Sequence, residues 1–153
     1  MGPGDVGTDH LTGERSVPAV VRRAVAPAAV AAAAVTAVTV LAVRSPYTPF
    51  SYGFCPSLLV LGVACPGCGG LRATHDLATG DLGGAWGANP LWVLAVPLLA
   101  AAWAVWAVRR TTGRPLPVVP RAVPWAVLAV VVAFGVLRNV PALVPYLGPA
   151  PLP

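Results

Sequence analysis

Long uninterrupted runs of apolar residues dominate the pattern of hydrophobic and polar positions along this chain. The first run, Ala24 to Val43, has twenty uncharged residues, and a helix of that length rises about 30 Å, the thickness of a bilayer's hydrocarbon core. The second, Pro90 to Val108, has nineteen uncharged residues with tryptophans near both ends, where membrane-interface anchors are found. Both runs predict transmembrane helices.

A third apolar run, from Ala122 to Leu137, is bounded by Arg121 and Arg138. As a helix it covers only about 24 Å, so it spans a bilayer if both arginines extend toward the headgroups. The alternative is a peripheral helix at the membrane surface. For the first run the alternative is a cleaved signal peptide, although its twenty residues exceed the usual apolar core of about 7 to 15.

The two ends of the chain lack apolar periodicity. Residues 1–21 combine Gly, Asp, Thr and Pro, which predicts a disordered cytoplasmic tail. Residues 139–153 are apolar but rich in proline, which favours an extended form over a helix. The membrane domain is therefore expected over residues 22–138.

The stretch between the first two predicted spans contains shorter elements. Leu58 to Ala64 is apolar but too short to cross, so we expect an interfacial or re-entrant segment there. Residues 71–78 and 81–86 have compositions that suit two short helices. Asn89, directly before Pro90, is a good cap for the second span.

Composition supports a membrane protein. Hydrophobic residues make up 57% of the 153 positions and charged residues only 10%, far from the usual soluble mixture. The expected fold class is all-α, a multi-pass membrane protein of about three transmembrane helices with a membrane-hugging loop that contains the cysteines. The net charge of +5 comes from arginines scattered around apolar segments, which excludes a nucleic-acid surface and leaves the lipid bilayer as the expected partner.

The arginines also predict an orientation. If all three runs span, the N-terminal tail shares a side with the loop between the second and third spans. That side holds seven arginines: Arg15, Arg22, Arg23, Arg109, Arg110, Arg114 and Arg121. The other holds Arg44, Arg72 and Arg138. The positive-inside rule then places the N-terminus in the cytoplasm of a bacterial cell and the cysteine loop outside, in an oxidising compartment.

The sequence Cys65-Pro66-Gly67-Cys68-Gly69 is the clearest candidate site. A C-x-x-C pair supports a disulfide, metal binding or redox exchange, but a redox pair normally opens a helix. Glycines on both sides of Cys68 disfavour helix and favour a tight turn with positive φ at Gly69. Such a turn is typical of a zinc knuckle or of a fixed disulfide.

A zinc site needs four ligands, and Cys55 and His75 complete a Cys3His set with Cys65 and Cys68. His75 has an ordinary alternative as a polar residue on a short helix. With three cysteines, any disulfide leaves one thiol over.

Arg72 and Asp76, four residues apart, have two readings as well. They could pair on one helix face. Alternatively, Arg72 lies near the sulfurs and favours a thiolate or an anionic ligand.

The order of motifs around the cysteines resembles a known family, domain of unknown function 2752, whose members are small bacterial membrane proteins. The resemblance covers about residues 52–97. It rests on Cys55-Pro56, Gly62 to Gly69, Arg72-Ala73, Gly80-Asp81, Ala85 and Asn89-Pro90-Leu91. The family pattern is C-P-x-C-G-x-T-R, and Leu71 stands here where threonine is usual. The resemblance implies a membrane protein and supplies no reaction.

The expected function is therefore a non-enzymatic membrane component. Its external loop is held by a disulfide or a metal, zinc among the candidates, and docks an unidentified membrane partner or lipid. No catalytic constellation is apparent in the sequence. The alternative is a membrane thiol-disulfide oxidoreductase that exchanges electrons through Cys65 and Cys68, with Cys55 as a resolving thiol.

Overall fold

The computed structural model describes residues 18–47 and 55–147, and within these ranges the chain is helical, without strands. This confirms the all-α prediction. The helices are α1 Ala19–Val43, α2 Pro56–Leu61, α3 Gly70–Thr79, α4 Leu82–Ala88, α5 Pro90–Thr112, α6 Ala122–Leu137 and α7 Val144–Leu147. Residues 1–17, 48–54 and 148–153 lie outside the described residues; they include most of the predicted N-terminal tail and the last six residues of the predicted C-terminal tail.

Two helices, α1 and α5, are long and apolar enough to cross a membrane. Both continue past the apolar runs that predicted them, because arginine and threonine tolerate helix well enough to extend it beyond the uncharged segment. The start of α1 at Ala19 corrects the predicted tail, whose last residues are helical. The apolar side chains of both helices are largely exposed, as a lipid-facing surface requires.

The third apolar helix, α6, has the bounds that the sequence predicts, Ala122–Leu137. It is too short to count as a membrane-crossing helix by length. None of its residues is buried, so its apolar surface is open nearly all round.

Helices α1 and α5 pack against each other in opposite directions. Near the start of α1, the Arg23 guanidinium approaches Gly113, the residue that ends α5 in a left-handed conformation. At the other end, α1 packs on α3, which leads through α4 into the start of α5. The loop with the cysteines therefore lies at one end of the helix pair, and the Arg109–Arg121 loop at the other.

A small core joins the short helices beside the cysteines. Ala73, Ala85 and Ala88 are buried, with Leu77 and Val93 packed around them. Methyl-sized side chains allow the backbones of α3 and α4 to approach closely. This core fixes the start of α3 and the start of α5 in one unit, which matters for the site below.

The C-terminal segment differs from the extended form predicted for it. Val144–Leu147 is a short helix, preceded by turns in which Leu143 N donates to Val140 O. Pro145 lies in the first turn of this helix, where its missing N–H costs nothing. Proline content alone therefore misled the prediction.

Candidate metal-binding site

The structure gathers the three cysteines into one cluster. Cys55 is the residue before α2, and Cys65 and Cys68 lie in the turn between α2 and α3. The Cys65 Sγ atom is 3.4 Å from Cys55 Sγ and 3.2 Å from Cys68 Sγ, and all three sulfurs lie within 4.8 Å of one another. The sequence prediction that Cys55 joins the C-x-x-C pair agrees with this arrangement.

These spacings suit a tetrahedral metal. Zinc–sulfur bonds of about 2.3 Å place tetrahedral ligands about 3.8 Å apart, and the observed spacings of 3.2 and 3.4 Å need only small adjustments. All three cysteines are free thiols, with Cys68 buried and the other two partly exposed. Soft thiolates of this kind bind Zn(II), Cu(I) and iron–sulfur clusters.

The turn that carries two of the sulfurs depends on Gly69. Its φ is +81°, which confirms the positive φ predicted from the sequence and is rarely adopted by other residues. A Cβ at this position would also overlap the backbone carbonyl of Ala88. Gly69 thus allows the cysteine turn to lie directly against the end of α4.

Arg138 is a site residue that the sequence prediction missed. It follows α6, seventy residues beyond Cys68 in the chain, and its side chain is 1% exposed. Its Nη1 donates to the carbonyl oxygens of Cys65 at 2.8 Å, Cys68 at 3.1 Å and Pro66 at 3.2 Å. Its Nε and Nη2 are buried without a hydrogen-bond partner among the described residues. This corrects the expectation that Arg138 extends toward the headgroups.

Two asparagines complete the hold on the cysteine turn. Asn89, 1% exposed, donates from Nδ2 to the carbonyls of Pro66 at 2.9 Å and Cys68 at 3.1 Å. It also caps α5 by accepting from Trp92 N, as predicted. Asn139 accepts from Ala64 N and donates to Ala64 O, both at 2.9 Å. The start of α5 and the residues directly after α6 therefore both hold the cysteine turn through hydrogen bonds.

The end of α6 also contacts the turn through Gly135. A Cβ added there would lie 2.9 Å from Pro66 Cγ, so glycine is needed for the close approach. A single arginine and a glycine at the end of a short apolar run could have signalled this docking, because arginines at membrane depth usually face protein rather than lipid.

His75 has a different position from the one expected of a fourth ligand. Its Nδ1 lies 2.6 Å from the carbonyl oxygen of Leu41, in the last turn of α1, where backbone carbonyls lack helical partners. Among the described residues, the potential metal ligands that lie close together are Cys55, Cys65 and Cys68, and His75 is not one of them. In this structure His75 joins α3 to α1.

Asp76, Tyr47 and Arg72 form a second polar group beside the cysteines. Asp76 is buried and accepts a 2.6 Å hydrogen bond from the Tyr47 hydroxyl, while the Arg72 guanidinium lies 5.9 Å from the centre of the Tyr47 ring. Burial and the hydrogen bond to Asp76 raise the pKa of Tyr47 to about 12. Tyr47 thus contacts both of the residues that the sequence predicts to pair with each other.

The thiols differ in acidity. The hydrogen bond with Ser57, whose Oγ is 3.0 Å from Cys55 Sγ, is the main cause that lowers the pKa of Cys55 to about 6. Burial, followed by its hydrogen bond to Cys55, raises the pKa of Cys68 to about 12. Without a metal, Cys55 is therefore expected to ionise before Cys68.

Comparison with known families adds one finding. The model of the family described as Protein of unknown function (DUF2752) matches residues 55–103. The chain carries a DUF2752 region. The match confirms the resemblance inferred from the motifs, and it extends from Cys55 into the middle of α5. It includes all three cysteines and Asn89, while Arg138 and Asn139 lie outside it. No curated protein and no solved structure matches the chain.

Proposed function

We propose that this chain is a bacterial plasma-membrane protein with three spans, α1, α5 and α6, and an extracytoplasmic cysteine loop. Support comes from the cluster itself: the end of α1, the start of α5 and the end of α6 all contact residues 64–76. Three helices that alternate in direction across a membrane bring these ends to one side. The distribution of arginines favours the cytoplasm for the opposite side.

We propose further that Cys55, Cys65 and Cys68 bind one zinc ion as thiolates, with water or a group of a bound partner as the fourth ligand that tetrahedral zinc needs. Three thiolates and Zn²⁺ carry a net charge of −1, and a buried charge needs a compensating partner. Arg138 provides one, since its buried guanidinium lies against the same turn. The convergence of the three sulfurs is the observation that carries this proposal.

The role of the metal in this proposal is to fix the loop. Zinc held by Cys55, directly before α2, and by Cys65 and Cys68 in the turn would cross-link two segments of the chain, and binding to such a site contributes directly to folding free energy. The protein then acts as a non-enzymatic membrane component whose rigid external loop docks a partner.

Metal analysis of the detergent-purified, unreduced protein tests this function. The expected result is about one zinc per chain by inductively coupled plasma mass spectrometry, with all three thiols protected from alkylation. Cys55→Ser, Cys65→Ser and Cys68→Ser should each lose the metal. His75→Gln is the matched control and should keep it, because His75 binds the Leu41 carbonyl. A protein that holds no metal in any preparation, or loses it only on His75→Gln, contradicts the proposal.

A second candidate, thiol-disulfide exchange, is favoured by the contact of Cys65 Sγ with both other sulfurs at 3.2 and 3.4 Å. An incoming thiolate can attack a disulfide made by two of them, leave one sulfur in a mixed disulfide and release the other as a thiolate. Trapping of a mixed disulfide in a Cys65→Ser or Cys68→Ser variant, without bound metal in the wild type, would favour exchange over the zinc site.

A further inference from the structure

Four arginines converge at the end of the molecule farthest from the cysteines. A cleft of about 300 Å³ is lined by arginine side chains from the start of α1, the last turn of α5 and the loop that follows, together with Trp106, Gly113 and Leu116. The arginines are Arg23, Arg109, Arg110 and Arg114. We call this the basic cleft.

The basic cleft has defined geometry. Arg109 Nη1 donates to the Pro115 carbonyl at 2.8 Å, which closes the loop after α5. Arg110 lies over the Trp106 ring, 5.7 Å from its centre. A Cβ at Gly113 would be 2.6 Å from Arg23 Nη1, so the absence of a side chain there admits the Arg23 guanidinium from the neighbouring helix.

An apolar groove continues from the basic cleft along α5. It measures about 370 Å³ and is lined by Ala104, Val105 and Val108, with Arg109 and Arg114 at its mouth. The same two arginines line the basic cleft. A positively charged cleft therefore adjoins, across Arg109 and Arg114, an apolar surface that runs one helical turn toward the middle of α5.

The charges of the basic cleft have no acidic counterpart among the described residues. The carboxylates within residues 18–47 and 55–147 are Asp76 and Asp81. Both lie at the opposite end of the molecule, where Asp81 caps α4 and Asp76, in α3, accepts a hydrogen bond from Tyr47. The positive charge of four guanidinium groups is larger than the carbonyl dipoles at one helix C-terminus can balance, because those dipoles amount to about half an elementary charge. Among the described residues, the basic cleft therefore carries positive charge that a bound anion would balance.

We propose that the basic cleft and the apolar groove together bind one anionic phospholipid. Guanidinium groups form paired hydrogen bonds with phosphate oxygens, and basic pockets between membrane helices on the cytoplasmic side bind acidic headgroups. The groove accounts for an acyl chain, which free phosphate lacks, and Trp106 lies at the level where headgroup and hydrocarbon meet. The proposal rests on the membrane placement of α1 and α5 and is independent of the metal.

Native mass spectrometry of the full-length, detergent-purified protein tests the site, with phosphatidylglycerol or phosphatidylcholine added. We expect one phosphatidylglycerol retained per chain and little phosphatidylcholine. Arg114→Gln and Arg23→Gln should each reduce the apparent affinity for phosphatidylglycerol about tenfold, the loss typical of a charged hydrogen bond. The matched control is Arg121→Gln, in the same loop but outside the basic cleft, which should leave retention unchanged.

Three results would overturn the proposal. One is equal retention of both lipids, and another is an equal loss in the Arg121→Gln control. The third is displacement of phosphatidylglycerol by inorganic phosphate alone, which would assign the cleft to a free anion. Zinc content measured on the same samples reports the cysteine site separately, so failure of one proposal is distinguishable from failure of the other.

Discussion

At the scale of single residues, Arg138 carries the largest energetic consequence. Its guanidinium is 1% exposed, and burying a charge costs several kcal/mol unless partners replace water. Three carbonyl oxygens satisfy one nitrogen, and two nitrogens remain without partners among the described residues. Burial lowers the pKa of Arg138, and Cys68 and Cys65 oppose that shift. A negatively charged thiolate centre would supply the missing partner charge.

Replacing Arg138 by Gln should therefore weaken both the fold and the metal site. The carbonyls of Cys65 and Cys68 lose their charged donor, at a cost of about 1.5 to 3 kcal/mol, and the net charge of the thiolate centre is left unbalanced. We expect a lower thermal unfolding midpoint and reduced zinc content at limiting zinc. Arg138→Lys keeps the charge and should retain more zinc than Arg138→Gln. Equal zinc retention by both variants and wild type would contradict the charge role.

The acidity of Cys55 leads to a prediction for the chelator-treated, metal-free protein. Because the thiolate is the reactive form, alkylation of Cys55 should rise with pH through about 6 and be near its plateau at neutral pH. Cys68, with its pKa raised to about 12 by burial, should remain slow. Peptide mass spectrometry after iodoacetamide labelling at a series of pH values measures both.

Ser57→Ala removes the main cause of the Cys55 shift, so the pH of half-maximal labelling should move upward. Thr112→Ala removes a hydroxyl that donates to the Val108 and Arg109 carbonyls at the far end of α5, and it should leave the profile in place. An unchanged profile in Ser57→Ala would mean that the hydrogen bond to Cys55 does not determine its acidity.

At the scale of elements, the junction of the cysteine turn with α4 depends on one glycine. Gly69→Ala introduces a Cβ into the Ala88 carbonyl and imposes a positive φ on alanine. We expect a loss of about 2 to 4 kcal/mol in unfolding free energy, as for other substitutions that combine backbone strain with overpacking. Thermal or denaturant unfolding in detergent measures it.

Alanine substitutions at two other glycines separate the two causes of that loss, backbone strain and steric overlap with Ala88. Gly62 has φ of +66° with nothing within 4 Å of an added Cβ, so Gly62→Ala should cost about 1 kcal/mol from the backbone alone. Gly87 lies in α4 with open space around it, and Gly87→Ala should be neutral or stabilise by about 0.5 to 1 kcal/mol. A Gly69→Ala variant no worse than Gly62→Ala would show that the approach to Ala88 is unimportant.

At the scale of the whole molecule, the helices alternate so that the cysteine site and the basic cleft occupy opposite ends. The cluster side contains the end of α1 and the start of α5, while Arg23 and Gly113 mark the other end of the same pair. In a membrane these two ends face different compartments. The chemistry of each end fits its proposed compartment: thiols outside, and arginines beside the cytoplasmic leaflet.

Labelling of whole cells checks this orientation. A membrane-impermeant maleimide, applied to chelator-treated cells whose outer barrier has been made permeable, should modify Cys55 before the inner membrane is opened. An epitope placed at the N-terminus should become accessible to protease only after the inner membrane is disrupted. The reverse pattern would invert the topology and remove the basic cleft from the cytoplasmic leaflet.

Features that depend on local pattern were predictable from the sequence. The spacing of charges defined the apolar helices, since an arginine interrupts a lipid-compatible run. Composition located α3 and α4 to within a few residues, and the glycines beside Cys68 predicted the turn with positive φ at Gly69. Motif order predicted the family region. Within the proline-rich C-terminal segment, the extended form predicted for Val144–Leu147 was wrong, because proline in a first helical turn leaves no pattern that distinguishes it from an extended chain.

The sequence by itself determined the helical class, the apolar character typical of membrane proteins and the choice of Cys55, Cys65 and Cys68 as site residues. These depend on composition, charge spacing and glycine conformation, which are local properties. Only the tertiary structure decided what surrounds the cysteines. Arg138 and Asn139 contact the turn from seventy to seventy-five residues away in the chain, and His75 contacts the end of α1. The sequence pattern of an arginine at the end of an apolar run is the same whether its side chain contacts lipid headgroups or backbone carbonyls. Which of the two it contacts depends on which helix ends pack together.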